Sequence, residues 1–249
     1  MAIALLLIIY LAYVSLGLPD TLLGAAWPAM REELGTGLGT AGAVSLVISL
    51  GTVVSSLLGS RLLSRFGTGP VAFFSVLSTA LSLFGFSCSH SLFWLLVMAV
   101  PLGLGAGAVD AGLNNFVALH YRPKHMNFLH CFWGLGAMSG PVIMSFWIAS
   151  GNRWGMGYRT VACVQFFLVL LLGLSLPLWK QKEPERLKER KAGEKPLGNL
   201  EALRLPGVKL GLTAFFCYCS LELSAGLWSS SYLVEKRGVP AGDAALCTS

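Results

Sequence analysis

Long hydrophobic stretches separated by short polar loops dominate this chain. A helix needs about 20 apolar residues to cross the hydrocarbon core of a bilayer. Seven stretches meet that length, at about residues 2–27, 41–63, 70–88, 92–119, 127–150, 158–179 and 208–233. The pattern therefore predicts an all-α, polytopic membrane protein.

The composition agrees with a membrane protein and excludes several soluble classes. Only 12% of the 249 residues are charged, and 55% are hydrophobic, whereas soluble domains carry roughly 25% charged residues. The 29 glycines are typical of membrane helices, which approach closely at small residues. The six cysteines have no spacing typical of a metal site. We expect neither an enzyme nor a bound cofactor or metal.

Charge alternates from loop to loop and predicts the orientation. The loops after the second, fourth and sixth stretches are basic, and the other loops carry fewer positive charges. The basic groups include Arg61, Arg65, Arg122, Lys124 and the segment 180–207. Basic loops face the cytoplasm, so we expect a cytoplasmic amino terminus and a location in the cell membrane. The net charge of +6 is explained by these loops and does not indicate nucleic-acid binding.

Residues 180–207 form a basic linker that differs from the segments on either side. The linker mixes Lys, Arg and Glu, and such spacing favours a solvated, partly helical segment. It divides a six-helix unit, 1–179, from a seventh stretch in 208–249.

Ionisable side chains inside the predicted spans are the strongest functional signal. They are Asp20, Asp110, His130 and Glu222. Such groups are costly at bilayer depth and usually mark a solute or ion path. A carboxylate can accept two hydroxyl hydrogen bonds, which suits a polar solute. A structural role between packed helices is the alternative, and for His130 packing is the favoured interpretation.

Weaker candidates accompany these groups. Asn114 lies one helical turn from Asp110 and shares its face. The remaining candidates are Asn115, Gln165 and Trp228, with Trp133 as a further aromatic group that could stack on a sugar. Buried amides often link helices instead, and tryptophans often pack or lie at the membrane interface.

Short similarities between spans suggest an internal repeat. Residues 17–24 (GLPDTLLG) and 107–114 (GAVDAGLN) each place an acid three residues after a glycine. The first and fourth spans run in opposite directions, as in an inverted repeat of three helices. Residues 222–228 give a third, partial copy. Chance similarity between glycine-rich spans is the competing explanation.

The glycines of the GLGAG sequence at 103–107 could suggest a nucleotide-binding loop. That motif requires a preceding strand and a following helix. These glycines lie within an apolar span, so the sequence excludes this interpretation.

Several segments resemble the major facilitator superfamily. GLPDTLLGAAWPAM, at 17–30, is similar to first helices of its sugar-transporting branches. SRLLSRFG, at 60–67, resembles the cytoplasmic gating motif, in which Arg65 and Gly67 match and Ser64 replaces the usual aspartate. GLGAGAVDAGLNNF, at 103–116, and LHCFWGLGAMSGP, at 129–141, are similar to members near the fucose-permease-like branch. The glycines at 136 and 140 resemble the core of a fifth-helix motif associated with antiporters.

This resemblance implies a major facilitator fold: a six-helix N-terminal bundle (1–179), the cytoplasmic linker (180–207) and the first helix of a truncated C-terminal half (208–249). It implies proton-coupled alternating access for a small polar solute, most simply a sugar. The alternatives are a drug or metabolite antiporter and a non-transporting scaffold or receptor-like half-bundle. The implied gating residues are Arg61, Arg65 and Gly67, and the implied partners are lipid, solute and proton. The missing half or a second copy of the chain is expected to be needed.

Overall fold

The computed structural model describes residues 2–151, 153–190 and 199–249, with side chains for 4–151, 153–179 and 201–249. The helices are α1 (Ala2–Gly17), α2 (Leu22–Leu34), α3 (Thr40–Phe66), α4 (Thr68–Ser87), α5 (Leu92–His120), α6 (Pro123–Ala149), α7 (Gly155–Arg190), α8 (Asn199–Ala202), α9 (Val208–Arg237) and α10 (Ala241–Leu246). The predicted all-α class is confirmed.

Seven helical stretches in the described residues are long and apolar enough to cross a membrane. They are Ala4–Leu34, Thr40–Phe66, Thr68–Ser87, Leu92–His120, Pro123–Ala149, Gly155–Trp179 and Val208–Arg237. Their number and order match the prediction from hydropathy. The first stretch extends beyond the expected end at residue 27, and it comprises two helices rather than one.

The break in the first stretch lies at residues 18–21. Pro19 has no backbone N–H and cannot continue the helical hydrogen bonds. Two tight turns replace them: the Asp20 N–H donates to the Gly17 carbonyl oxygen, and the Leu22 N–H donates to the Pro19 carbonyl oxygen, both at 3.2 Å. The break places Asp20 between α1 and α2, rather than inside a continuous helix.

Glycines bring α1 and α6 into backbone contact. A methyl group on Gly136 would lie 2.1 Å from the Val14 carbonyl oxygen, and one on Gly140 would lie 2.3 Å from that of Leu18. Real side chains do not approach so closely, so only glycine fits either position. The segment that resembles the fifth-helix motif is therefore the surface that holds α6 against the broken first span.

The glycines at 103, 105 and 107 allow close backbone contact on two sides of α5, with α3 and with α4. Methyl groups at Gly103 and Gly107 would lie 2.1 and 2.3 Å from carbonyl oxygens of α3, and one at Gly105 would lie 2.6 Å from a carbonyl oxygen of α4. The Thr52 hydroxyl also donates to the Gly103 carbonyl oxygen over 3.2 Å. The sequence pattern is thus a helix-packing motif, consistent with excluding a phosphate loop.

Helix α9 packs against the rest of the chain only towards its carboxyl-terminal end. Most of α9 before residue 226 is exposed, whereas Ser230 and Ser231 near its far end are buried. That end packs on α2, and α10 packs on α6 and α2. Helix α7 continues to Arg190, so the first part of the predicted linker is helical. Residues 191–198 of the linker lie outside the described residues.

Candidate functional site

Asp20 is presented by the break in the first span. Its Oδ2 accepts a hydrogen bond from the Trp133 indole N–H at 2.7 Å, and the side chain is exposed. The next residue, Thr21, donates its hydroxyl to the Ala137 carbonyl oxygen at 2.8 Å. Helix α6 therefore contacts the break at two points, one turn apart.

Asp110 lies in the middle of α5 and accepts two hydrogen bonds on one oxygen. Its Oδ1 accepts the Asn114 amide at 2.9 Å and the Tyr13 hydroxyl at 3.3 Å. Asn114 was predicted to share the face of Asp110, and it contacts Asp110 directly. Tyr13 comes from α1, so the Asp110 carboxylate connects α5 to the first half of the broken span.

The other ionisable groups surround these two acids. The rings of Tyr13 and His130 meet edge to face, with centroids 6.5 Å apart, and His130 interacts through charge with Asp110. Asp20 interacts through charge with Asp110 and Glu222. The three predicted carboxyl groups, from the first span, α5 and α9, are thus linked by charge interactions through Asp20, and His130 interacts in the same way with Asp110.

Glu222 differs from the other two acids in its surroundings. It is exposed on the part of α9 that few helices cover, and it interacts with Tyr218, one turn earlier on the same helix. The side-chain interaction of Glu222 within α9 therefore does not join this helix to another one.

Gln165 lies apart from this group, in a buried layer between helices. Its Oε1 accepts the Thr79 hydroxyl at 2.8 Å, and its Nε2 donates to the Ser15 carbonyl oxygen at 2.9 Å. Because both ends of the amide are hydrogen-bonded, the side chain links α7 to α4 and α1. This environment is that of a structural cross-link.

Two further predicted residues have no polar contact with the acids. Asn115 is half-buried, one position beyond Asn114. Trp228 packs against the apolar cluster that contains Trp27, and its ring lies 3.6 Å from where a methyl group on Gly42 would be. Its contacts are those of a packing residue.

The candidate gating residues lie at the junction of α3 and α4, with Arg61 and Arg65 in the last turns of α3 and Gly67 between the two helices. Gly67 has a φ of 81°, a conformation that favours glycine. Arg61 and Arg65 are exposed, and the Arg65 guanidinium lies over the Phe66 ring, 5.3 Å from its centroid. Ser64, which replaces the usual acid, donates its hydroxyl to the Arg61 carbonyl oxygen at 2.9 Å. Serine carries no charge, so this position cannot form an ion pair.

Two ion pairs at the opposite end of the bundle were not predicted from the sequence. Arg31 at the end of α2 pairs with Glu235 at the end of α9, and Glu33 pairs with Arg153. Glu33 also accepts the Trp154 indole N–H at 2.7 Å. Arg31 and Glu235 are 204 residues apart in the chain, so the pattern of hydropathy gives no local signal that they pair.

The described residues contain no group of His, Cys, Asp and Glu suited to a metal ion. Two grooves of about 380 and 440 Å³ are lined almost wholly by apolar side chains, around Phe73 and Phe74. Neither groove contains the carboxyl groups. The candidate site is instead the exposed polar surface between α1, α5, α6 and α9.

Comparisons with known proteins give a family model and several relatives. The family model described as Major Facilitator Superfamily matches residues 9–248. "Bypass of stop codon protein 6" of Saccharomyces cerevisiae is 25% identical over 90% of this chain and 49% of its own length. The hexuronate transporter of Bacillus subtilis is 26% identical over 94% of this chain and 57% of its own length. The chain thus spans about half the length of these curated relatives.

Two further matches cover less sequence or only the fold. The glucose/mannose transporter GlcP of Bacillus subtilis is 30% identical over 48% of this chain and 29% of its own length. The crystal structure of a D-xylose-proton symporter superimposes with a TM-score of 0.70, covering 99% of this chain and 65% of that one, at 12% identity. At that identity the likeness shows a shared fold.

Proposed function

The chain belongs to the major facilitator superfamily, and we propose that it forms the amino-terminal part of a proton-coupled transporter for a neutral sugar or a similar polyhydroxylated solute. The family is one of transport proteins rather than enzymes. One observation carries the proposal: Asp20 lies at the break of a membrane-spanning helix and Asp110 contacts the first half of the same span, and each acid accepts a hydrogen bond from a neighbouring helix.

The two carboxyl groups retain capacity to bind a solute. Trp133 occupies Oδ2 of Asp20, and Tyr13 and Asn114 share Oδ1 of Asp110. Among the described residues, no side chain donates to the second oxygen of either acid. Free carboxylate oxygens accept hydrogen bonds from hydroxyl groups, and a sugar carries several hydroxyl donors.

Charge favours a neutral solute over an acidic one. The strongest charge interactions of Asp20 are with Asp110 and Glu222, which are acids as well. A sugar acid would meet like charge at this site, and like charges repel. One relative is named for hexuronate, an acidic sugar, and another for glucose and mannose, which are neutral. We therefore base the choice of a neutral solute on the charge at the site.

Proton coupling follows from the same groups. A carboxylate that can exchange a proton changes both its charge and its capacity to accept hydrogen bonds. Solute binding and protonation at Asp20 or Asp110 are therefore linked. Alternating access would use the asymmetry of the structure, because α9 packs on α2 only towards the end that carries Arg31 and Glu235.

The test is solute uptake into proteoliposomes, using the open reading frame together with any residues that continue beyond position 249. With an inward proton gradient, we expect accumulation of a labelled neutral hexose above its equilibrium level, and much less of a hexuronate. Asp110→Asn should abolish accumulation, whereas Asp243→Asn, at an exposed acid on α10, should not. Uptake driven only by an outward proton gradient would support the antiporter, and no gradient-dependent uptake would support the scaffold.

The 249-residue chain is expected not to transport by itself. Solute sites in this family lie between two structural repeats near the midplane, and here α9 leaves Glu222 exposed without flanking helices. Saturable uptake by the chain as a monomer would contradict this expectation. Uptake only after pairing with a second copy would identify a half-transporter.

A further inference from the structure

Trp133 is the group that fixes the Asp20 carboxylate. Its indole nitrogen lies 2.7 Å from Oδ2 of Asp20, a short distance for a hydrogen bond between N–H and oxygen. The bond joins the middle of α6 to the break between α1 and α2. Trp133 was only a possible sugar-stacking residue on sequence grounds, and the structure gives it a different contact.

The backbone around both residues is held on each side of this bond. A methyl group on Gly17 would lie 2.2 Å from the Trp133 carbonyl oxygen, so α1 touches α6 at Trp133 itself. After the acid, the Thr21 hydroxyl donates to the Ala137 carbonyl oxygen at 2.8 Å. Gly17 and Thr21 thus hold the break against α6 before and after Asp20, so the backbones that carry Asp20 and Trp133 stay in register.

We propose that Trp133 is a positioning residue for Asp20: its indole N–H holds one carboxylate oxygen, leaves the other free for the solute, and releases its hold when Asp20 takes up a proton. This inference rests on the proposed function, because it assigns a part in solute and proton exchange to the same site. A hydrogen bond to a charged acceptor is stronger than one to a neutral group. The indole therefore stabilises the charged form of the acid.

Other titratable groups also face this pair. They are Tyr13 on α1, Asp110 on α5, His130 on α6 and Glu222 on α9. Tyr13 and His130 contact Asp110 or its hydroxyl partner, and no described residue other than Trp133 donates a side-chain hydrogen bond to Asp20. A change in Trp133 therefore acts on Asp20 first.

The first experiment compares Trp133→Phe with Trp147→Phe in the transporting protein. Phenylalanine keeps an aromatic ring and removes the N–H donor. Trp147 is a matched control, because it lies on the same helix and donates its indole N–H to the Thr160 hydroxyl at 2.9 Å. We expect Trp133→Phe to move the pH midpoint of uptake upward by about one unit, and Trp147→Phe to leave it unchanged. An unchanged midpoint in Trp133→Phe would overturn the proposal.

The second experiment needs no solute, so it separates this inference from the proposed function. The tryptophan emission of the 249-residue chain in lipid nanodiscs is titrated with pH. The parent and Trp147→Phe should show an emission step that is absent from Trp133→Phe and from Asp20→Asn. The Asp20→Asn variant changes the other partner of the same bond. It therefore keeps the experiment decisive if Trp133→Phe fails to insert into the membrane. A step that persists in Asp20→Asn would overturn the assignment even if sugar uptake is demonstrated, and absence of uptake would leave this result standing.

Discussion

Gly24 in α2 and Gly226 in α9 meet backbone to backbone, since a methyl group on Gly24 would lie 2.0 Å from the Gly226 carbonyl oxygen. Each glycine follows an acid by four residues, Asp20 in one helix and Glu222 in the other. The two segments whose similarity suggested a repeat in the sequence therefore contact each other in the structure. Each acid therefore lies one helical turn before the contact between the two glycines.

This contact predicts that a large side chain at position 24 separates α2 from α9. We expect Gly24→Leu to reduce bismaleimide cross-linking between cysteines placed at Arg31 and Glu235, which pair in the structure, in a background with the native cysteines replaced by serine. Gly37→Leu is the control, because a methyl group there has no neighbour within 4 Å. Equal cross-linking in both variants would show that the glycine contact does not hold these helices together.

Gly136 and Gly134 offer a matched pair on one helix. A methyl group on Gly136 would lie 2.1 Å from the Val14 carbonyl oxygen, whereas one on Gly134 has open space. We expect Gly136→Ala to cost about 1–3 kcal/mol through overpacking, and Gly134→Ala to be neutral or to stabilise by up to about 1 kcal/mol through helix propensity. Thermal unfolding of the two variants in detergent can be monitored by size-exclusion chromatography, as the fraction of protein that remains folded after heating. A lower unfolding temperature for Gly134→Ala alone would contradict the packing.

Gln165 should contribute to stability more than to solute binding. Gln165→Leu removes the acceptor for Thr79 and the donor to the Ser15 carbonyl oxygen, and an unsatisfied buried polar group costs about 1–3 kcal/mol. The unfolding temperature should fall, while the KM for solute in the surviving protein stays unchanged. Thr79→Val should add little in the Gln165→Leu background, because the two side chains share one bond.

Asn115→Leu is the comparison for Gln165→Leu, because Asn115 is half-buried and makes no side-chain hydrogen bond to the described residues. It should leave the unfolding temperature nearly unchanged. A large rise in KM for Gln165→Leu at unchanged stability would return Gln165 to the solute site.

The predicted orientation can be tested at both ends of α4. Cys88 follows α4 and is exposed, and Ser64 lies near the end of α3, just before α4. We expect an impermeant maleimide to label Cys88 in intact cells. A cysteine at Ser64, or at Arg204 in the linker, should react only after permeabilisation. Labelling of the Arg204→Cys variant from outside would reverse the orientation.

The amino-acid sequence by itself determined the membrane class, the number and order of the spans, and the family. Hydropathy and loop charge are properties of contiguous residues, so they can be recognised without knowing which helices touch. Asp20 and Asp110 were found in the same way, because an acid in an apolar stretch is conspicuous locally. The proximity of Asn114 to Asp110 followed from helical periodicity alone.

Only the tertiary structure decided which polar groups work together. Gln165 resembled a site residue in sequence, yet its amide closes a buried link between three helices. Trp133 resembled a packing residue, yet it binds Asp20. Such pairings depend on the rotation of each helix about its axis and on how closely the helices approach. Glycine contacts such as Gly136 with Val14 set both, because a single added methyl group would push the backbones apart and turn these side chains away from their partners.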